Sequence, residues 1–167
     1  MIVFDAHLDL AWNALDWNRD LRLPVADIRQ REREQNMTDK GRCQNTVSFP
    51  ELRRGKFAVV IATLLARLYK PGVGLAAVNR FSSMPAAYAT AYGQLAYYRA
   101  MEQEGVLRWI KDWPALKAHI ERWTTAGEAE LEREPLGFIL SMEGADPVLR
   151  PEEVGEDRKS TRLNSSH

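Results

Sequence analysis

A single cysteine, Cys43, in 167 residues excludes an internal disulfide framework and any four-cysteine zinc site. Charge of one sign is not in excess either. Lysine plus arginine total 23 and aspartate plus glutamate total 23, a balance that argues against a dedicated nucleic-acid binder. No apolar run approaches the ~18 residues of a transmembrane helix. The longest, Phe57 to Ala66, is broken by Thr63. The N-terminus has neither a basic n-region nor a small-residue cleavage site, so it does not read as a signal peptide and a cytoplasmic location is the default. Internal repeats and low-complexity tracts are also missing. What remains is ordinary for a globular chain of about one domain, with 45% hydrophobic and 28% charged residues.

The last eleven residues stand apart. Residues 157–167, DRKSTRLNSSH, carry no apolar periodicity and follow an abrupt change of composition after Glu156. The string resembles one reading frame of a common sequencing-adapter oligonucleotide, and it is set aside from fold reasoning as a non-native tail. His167 leaves the functional argument with it.

Along residues 1–156, strands and helices alternate. Ile2 to Ala6, with β-branched residues at its start, Lys56 to Leu65, Val106 to Ile110 and Leu136 to Met142 are short apolar runs that read as strands. Ser48-Phe49-Pro50-Glu51 opens a short helix as a capping box with proline in the first turn. Met84 to Glu104 is the clearest helix, with Tyr88, Ala91, Leu95 and Tyr98 at three- and four-residue spacing and Gly105 as its stop. Asp112-Trp113-Pro114 caps another that runs to about Thr125. Leu8 to Trp17 reads as a loop leading into a helical turn. Asp27 to Asn45 reads as a long solvated loop, in part helical, with Arg29 to Glu34 as a solvated face. Tyr69 to Ser83, with Pro71, Gly72 and Gly74, reads as a loop. Such alternation predicts an α/β fold with a mainly parallel sheet.

Two motifs bear chemistry. In Asp5-Ala6-His7-Leu8-Asp9, His7 and Asp9 are two residues apart at the C-terminal end of a strand, and period-two alternation puts both on one face. Imidazole nitrogen and carboxylate oxygen both suit zinc and similar ions, and ligands of α/β proteins collect at the carboxyl ends of strands. In Ser141-Met142-Glu143-Gly144 a carboxylate leaves a strand end, followed by a glycine that permits a tight turn. Taken singly, either motif is also what an ordinary solvated strand end looks like.

Read together and in order, DAHLDL, SFPELRRGKFAVVIATLLARL, the long helix and LGFILSMEG resemble the membrane dipeptidase family, the renal dipeptidase and its bacterial relatives. The resemblance implies the N-terminal half of a (β/α)8 TIM-like barrel, a fold of ~250 residues or more, so that residues 1–156 form a truncated, partial barrel domain. It implies a zinc-dependent peptidase with two divalent metal ions, most commonly Zn2+, that cleaves the peptide bond of dipeptides by a metal-activated water. His7 and Asp9 would ligate the first metal, and Glu143 would be the catalytic carboxylate bridging both. The remaining histidine ligands belong to later strands, and no histidine here matches them. The resemblance further implies a dipeptide substrate as partner and allows a homodimer of the longer protein. Ala145-Asp146-Pro147 departs from relatives with a second glycine and a histidine after the glutamate, which bears on substrate preference more than on metal binding. Without the missing ligands the chain by itself is expected to be inactive. Other readings are a deacylase of the amidohydrolase type, and a non-catalytic binding protein that kept the barrel.

The other conspicuous residues have plainer expectations. Tyr88, Tyr92, Tyr97 and Tyr98 are read as packing, Trp109, Trp113 and Trp123 as core or interface anchors, and His119 as a surface or partly buried structural residue. No histidine is near Cys43 to activate it as a nucleophile.

Overall fold

The computed structural model describes residues 1–69 and 80–150. The expected tail at 157–167 and most of the loop between Tyr69 and Ser83 lie outside the described residues.

Four strands form one parallel sheet: β1 (Val3–Leu8), β2 (Phe57–Leu65), β5 (Leu107–Trp109) and β6 (Leu136–Glu143). Two short strands, β3 (Arg67–Leu68) and β4 (Arg80–Phe81), pair parallel with each other beside it. The apolar run of β2 is buried along nearly its whole length, as a strand covered on both faces must be. Helices α1 (Leu10–Leu15), α3 (Phe49–Arg54), α4 (Met84–Gln103) and α5 (Trp113–Thr125) pack against it. Phe138 on β6 is stacked between Tyr98 of α4 and Trp109 of β5, at 5.3 and 5.5 Å between ring centres. Fully burying side chains of this size contributes roughly 1.5–3 kcal/mol each. The buried cluster that includes Val59, Val60, Leu107, Leu136 and Phe138 therefore outweighs any single surface ion pair in holding the sheet together.

The strand order is β1-β2-β6-β5. An uninterrupted barrel run would set the strands side by side in chain order, whereas here the last strand inserts between the second and third. β5 pairs only with the beginning of β6, Leu107↔Leu136 to Trp109↔Phe138. Its outward-facing Trp109 N–H goes to the Glu102 carboxylate at 3.0 Å, a side chain that closes the edge to further strands. Beyond Phe138, β6 has β2 on one side and no described strand on the other. The outer edge of β1 is likewise unpaired among the described residues.

Several sequence expectations are corrected. The segment after Pro24 is a helix, α2 (Val25–Glu34), and it is not a wholly solvated face: Ile28 and Glu32, one turn apart, are buried. Its apolar periodicity was invisible because one of its two buried positions is a carboxylate. Glu32 accepts from Arg19, from Arg42 and from the Cys43 backbone N–H. Burial by itself would raise the Glu32 carboxyl, but these hydrogen bonds prevail and hold it below the usual carboxylate range. Trp17 is flanked by both guanidiniums, Arg19 at 4.8 Å and Arg42 at 4.9 Å from its ring centre. Ser48 does precede α3, yet its hydroxyl bonds the Glu51 carboxylate and caps no backbone N–H. Trp113 is no core anchor. It is 71% exposed, because the stripe of α5 that faces the sheet begins a turn later, with Leu116, His119, Ile120 and Trp123. A four-residue helix, α6 (Glu128–Leu131), was not anticipated.

His119 is more deeply placed than expected. It is buried under the sheet, where its Nε2 lies 2.8 Å from the Ala58 carbonyl oxygen and its Nδ1 lies 3.3 Å from the Arg108 guanidinium. An Nε2–H donor with a bare Nδ1 acceptor satisfies both contacts. Burial, the largest influence, pushes its pKa below the ordinary value, so the ring is held neutral. Gly137 of β6 makes room for the ring, since a Cβ there would lie 2.6 Å from Nε2.

Candidate metal centre

The parallel pairing brings the carboxyl ends of β1, β2 and β6 to one end of the sheet, with Leu8 opposite Ala62 and Leu65 opposite Glu143. His7, Asp9 and Glu143 meet there. One ligand atom from each lies within 4.8 Å of the others, and no other group of three or more His, Cys, Asp or Glu side chains converges in this way among the described residues.

The route by which His7 and Asp9 converge differs from simple alternation. Between Asp5 and Leu8 the pairing of β1 with β2 slips, three residues on β1 spanning two on β2. This one-residue bulge at Ala6-His7 re-aims the imidazole. The His7 backbone N–H is satisfied by the Asp5 carboxylate at 2.9 Å. Asp9 lies past the strand, at the N-cap of α1, but its side chain caps no backbone N–H and is left to face the imidazole.

His7 Nε2 stands 3.6 Å from Asp9 Oδ1 and 3.3 Å from Glu143 Oε2. Both separations exceed a good N–H···O hydrogen bond, 2.7–3.2 Å as a rule. They match donors that share an ion, since ligand atoms ~2.0–2.2 Å from a tetrahedral cation stand about 3.3–3.6 Å apart. One imidazole and two carboxylates form a donor set suited to zinc and related divalent ions. The site is open to solvent on the imidazole side, with the His7 side chain 54% exposed against 23% for Asp9. Gly144, at φ +87°, turns the chain away directly after Glu143.

Residues that sequence reasoning did not assign hold these three in place. The Thr63 hydroxyl donates to Asp9 Oδ1. Arg67 at the start of β3 pairs with the other Glu143 oxygen, Oε1. Behind the site, buried Tyr98 donates to the Thr63 carbonyl at 3.0 Å and accepts from the Ala11 N–H at 3.1 Å, tying β2 to the start of α1. Burial above all raises the Tyr98 hydroxyl well beyond its ordinary range, so it stays a neutral donor. Four residues earlier on α4, the Gln94 side chain accepts from the Leu65 N–H and donates to the Leu65 carbonyl, both at 2.7 Å. The signals available were the lone polar Thr63 in an apolar run and a Gln–Tyr pair one turn apart on the long helix. Nothing in the sequence marked Arg67.

No family model matches the chain, and no curated protein does. Among solved structures it is similar to the crystal structure of dipeptidase AC, a metallopeptidase, with a TM-score of 0.54 and 18% sequence identity. The correspondence covers 95% of this chain and 40% of that one. The likeness is one of fold: a mixed α/β chain with a parallel sheet, arranged as in part of a dipeptidase.

Proposed function

We propose that this chain is the metal-binding portion of a metal-dependent hydrolase of the dipeptidase type, with residues 1–156 as part of a barrel domain and 157–167 outside it. The observation that carries the reading is the convergence of His7, Asp9 and Glu143 at the carboxyl end of a parallel sheet. The fold likeness to a metallopeptidase supports it.

In this reading His7 Nε2, Asp9 Oδ1 and Glu143 Oε2 hold a divalent cation, Zn2+ by preference of the donor set. Such an ion lowers the pKa of water toward neutrality and polarises a carbonyl. The chain's own residues prepare the ligands. Thr63 fixes the orientation of Asp9, as an outer partner commonly does for a ligating carboxylate. Asp5 holds the bulge that presents the His7 ring. Tyr98 and Gln94 clamp the end of β2 so that Thr63 does not drift. A dipeptide carries a free amine and a free carboxylate, and further groups are needed to read both ends, so the chain by itself is proposed to be inactive toward dipeptides.

Calorimetric titration of the metal-free chain with Zn2+ tests the centre. Uptake is expected, with Glu143→Gln weakening it at least about tenfold, the lower bound for disturbing even an outer partner of a metal site. Equal affinity in the two proteins would remove Glu143 from the centre.

A further inference from the structure

We infer that Arg67 is a positioning residue that limits Glu143 to one ligand oxygen, so that this chain's centre takes a single divalent cation. The inference rests on the metal-centre reading and departs from the expectation of a cation pair bridged by Glu143. A bridging carboxylate must give one oxygen to each ion. Here Oε2 faces His7, while Oε1 is taken by the Arg67 guanidinium. A dication placed at Oε1 would lie directly against that fixed positive charge, and guanidinium does not deprotonate to relieve the repulsion.

Two further observations agree. Arg67 is held where it acts. It begins β3, whose Leu68 N–H bonds the Asp146 carboxylate at 3.1 Å, so the segment is pinned to the loop that follows Glu143. Moreover, His7, Asp9 and Glu143 are the one group of three or more metal-ligating side chains that converges among the described residues. Among the described residues no second donor set stands ready for another ion. Arg67 thus supplies, as a built-in monocation, part of the charge that a second metal would otherwise bring to Glu143.

The test is titration of the purified, metal-free chain with Co2+, followed by calorimetry and by visible absorption, whose intensity falls as coordination number rises. One equivalent per chain is expected. Arg67→Met frees Oε1, so a second oxygen of Glu143 joins the ion and the absorption should weaken. Arg67→Lys keeps a charge beside Oε1 and should retain the wild-type spectrum. Two equivalents in the wild-type chain would overturn the inference and leave the metal centre standing. An Arg67→Met spectrum identical to wild type would also overturn it. Absence of any Co2+ uptake by the wild-type chain would overturn the metal-centre reading itself, and the inference with it.

Discussion

Gly137→Ala is the substitution whose cost the structure specifies most directly. A Cβ at this position would stand 2.6 Å from His119 Nε2, 2.9 Å from its Cδ2 and 3.1 Å from the Ala58 carbonyl oxygen. The imidazole is not a flexible side-chain tip that can swing aside. It is buried and tied to Ala58 at 2.8 Å and to Arg108 at 3.3 Å. Ring or strand must shift by several tenths of an ångström. Overpacking of this kind costs about 1–3 kcal/mol, and weakening a buried hydrogen bond adds a cost of about 1–3 kcal/mol. Alanine's smaller unfolded-state entropy returns ~0.4–1 kcal/mol. The net expectation is a destabilisation of about 1–5.5 kcal/mol, or a fall in Tm of roughly 2–20 °C for a chain of this size. Urea unfolding followed by tryptophan fluorescence reads it, since Trp123 lies 6.0 Å from the His119 ring. Because the clash is chiefly with the ring, the same substitution in a His119→Ala background should cost clearly less, a positive coupling between neighbours. A loss below about 0.5 kcal/mol, or an equal loss in both backgrounds, would refute the proposed steric lock.

Two other outcomes follow from particular contacts. Thr63→Val keeps the side chain's shape and removes the hydroxyl that orients Asp9. Zn2+ affinity should fall about 10–100-fold, whereas unchanged affinity would show that Asp9 needs no orienting partner. His119 makes stability depend on pH. Its folded pKa lies below its unfolded value, so the unfolded chain takes up the proton first as pH falls. That share of stability is complete above about pH 6.5, the ordinary histidine value, and is lost as pH falls from there toward the depressed folded pKa. In His119→Gln this part of the decline should vanish, and its persistence would place the effect on another group.

Most strands, the long helices and the candidate donor residues were legible in the sequence by itself, because each is a local property. Apolar runs of strand length, Asp112 ahead of Pro114, and a proline-free stretch after Met84 and Pro85 identify strands and helices from neighbours alone. His7, Asp9 and Glu143 were legible because donor chemistry belongs to the residue and strand ends are read from adjacent positions. Tertiary structure decided what depends on residues distant in the chain. The order β1-β2-β6-β5 is set by which apolar faces find one another, and no local pattern encodes it. The bulge at Ala6-His7 arises only against β2, since a slip in register exists only between two strands. Thr63, Gln94 and Tyr98 gain their roles from hydrogen bonds across 29 to 87 positions of sequence, and Arg67 meets Glu143 across 76. Glu32 reads as one charge in a solvated run until Arg19, Arg42 and the Cys43 N–H close around it. A buried polar group is recognised by its partners, and only the folded chain brings those partners to it.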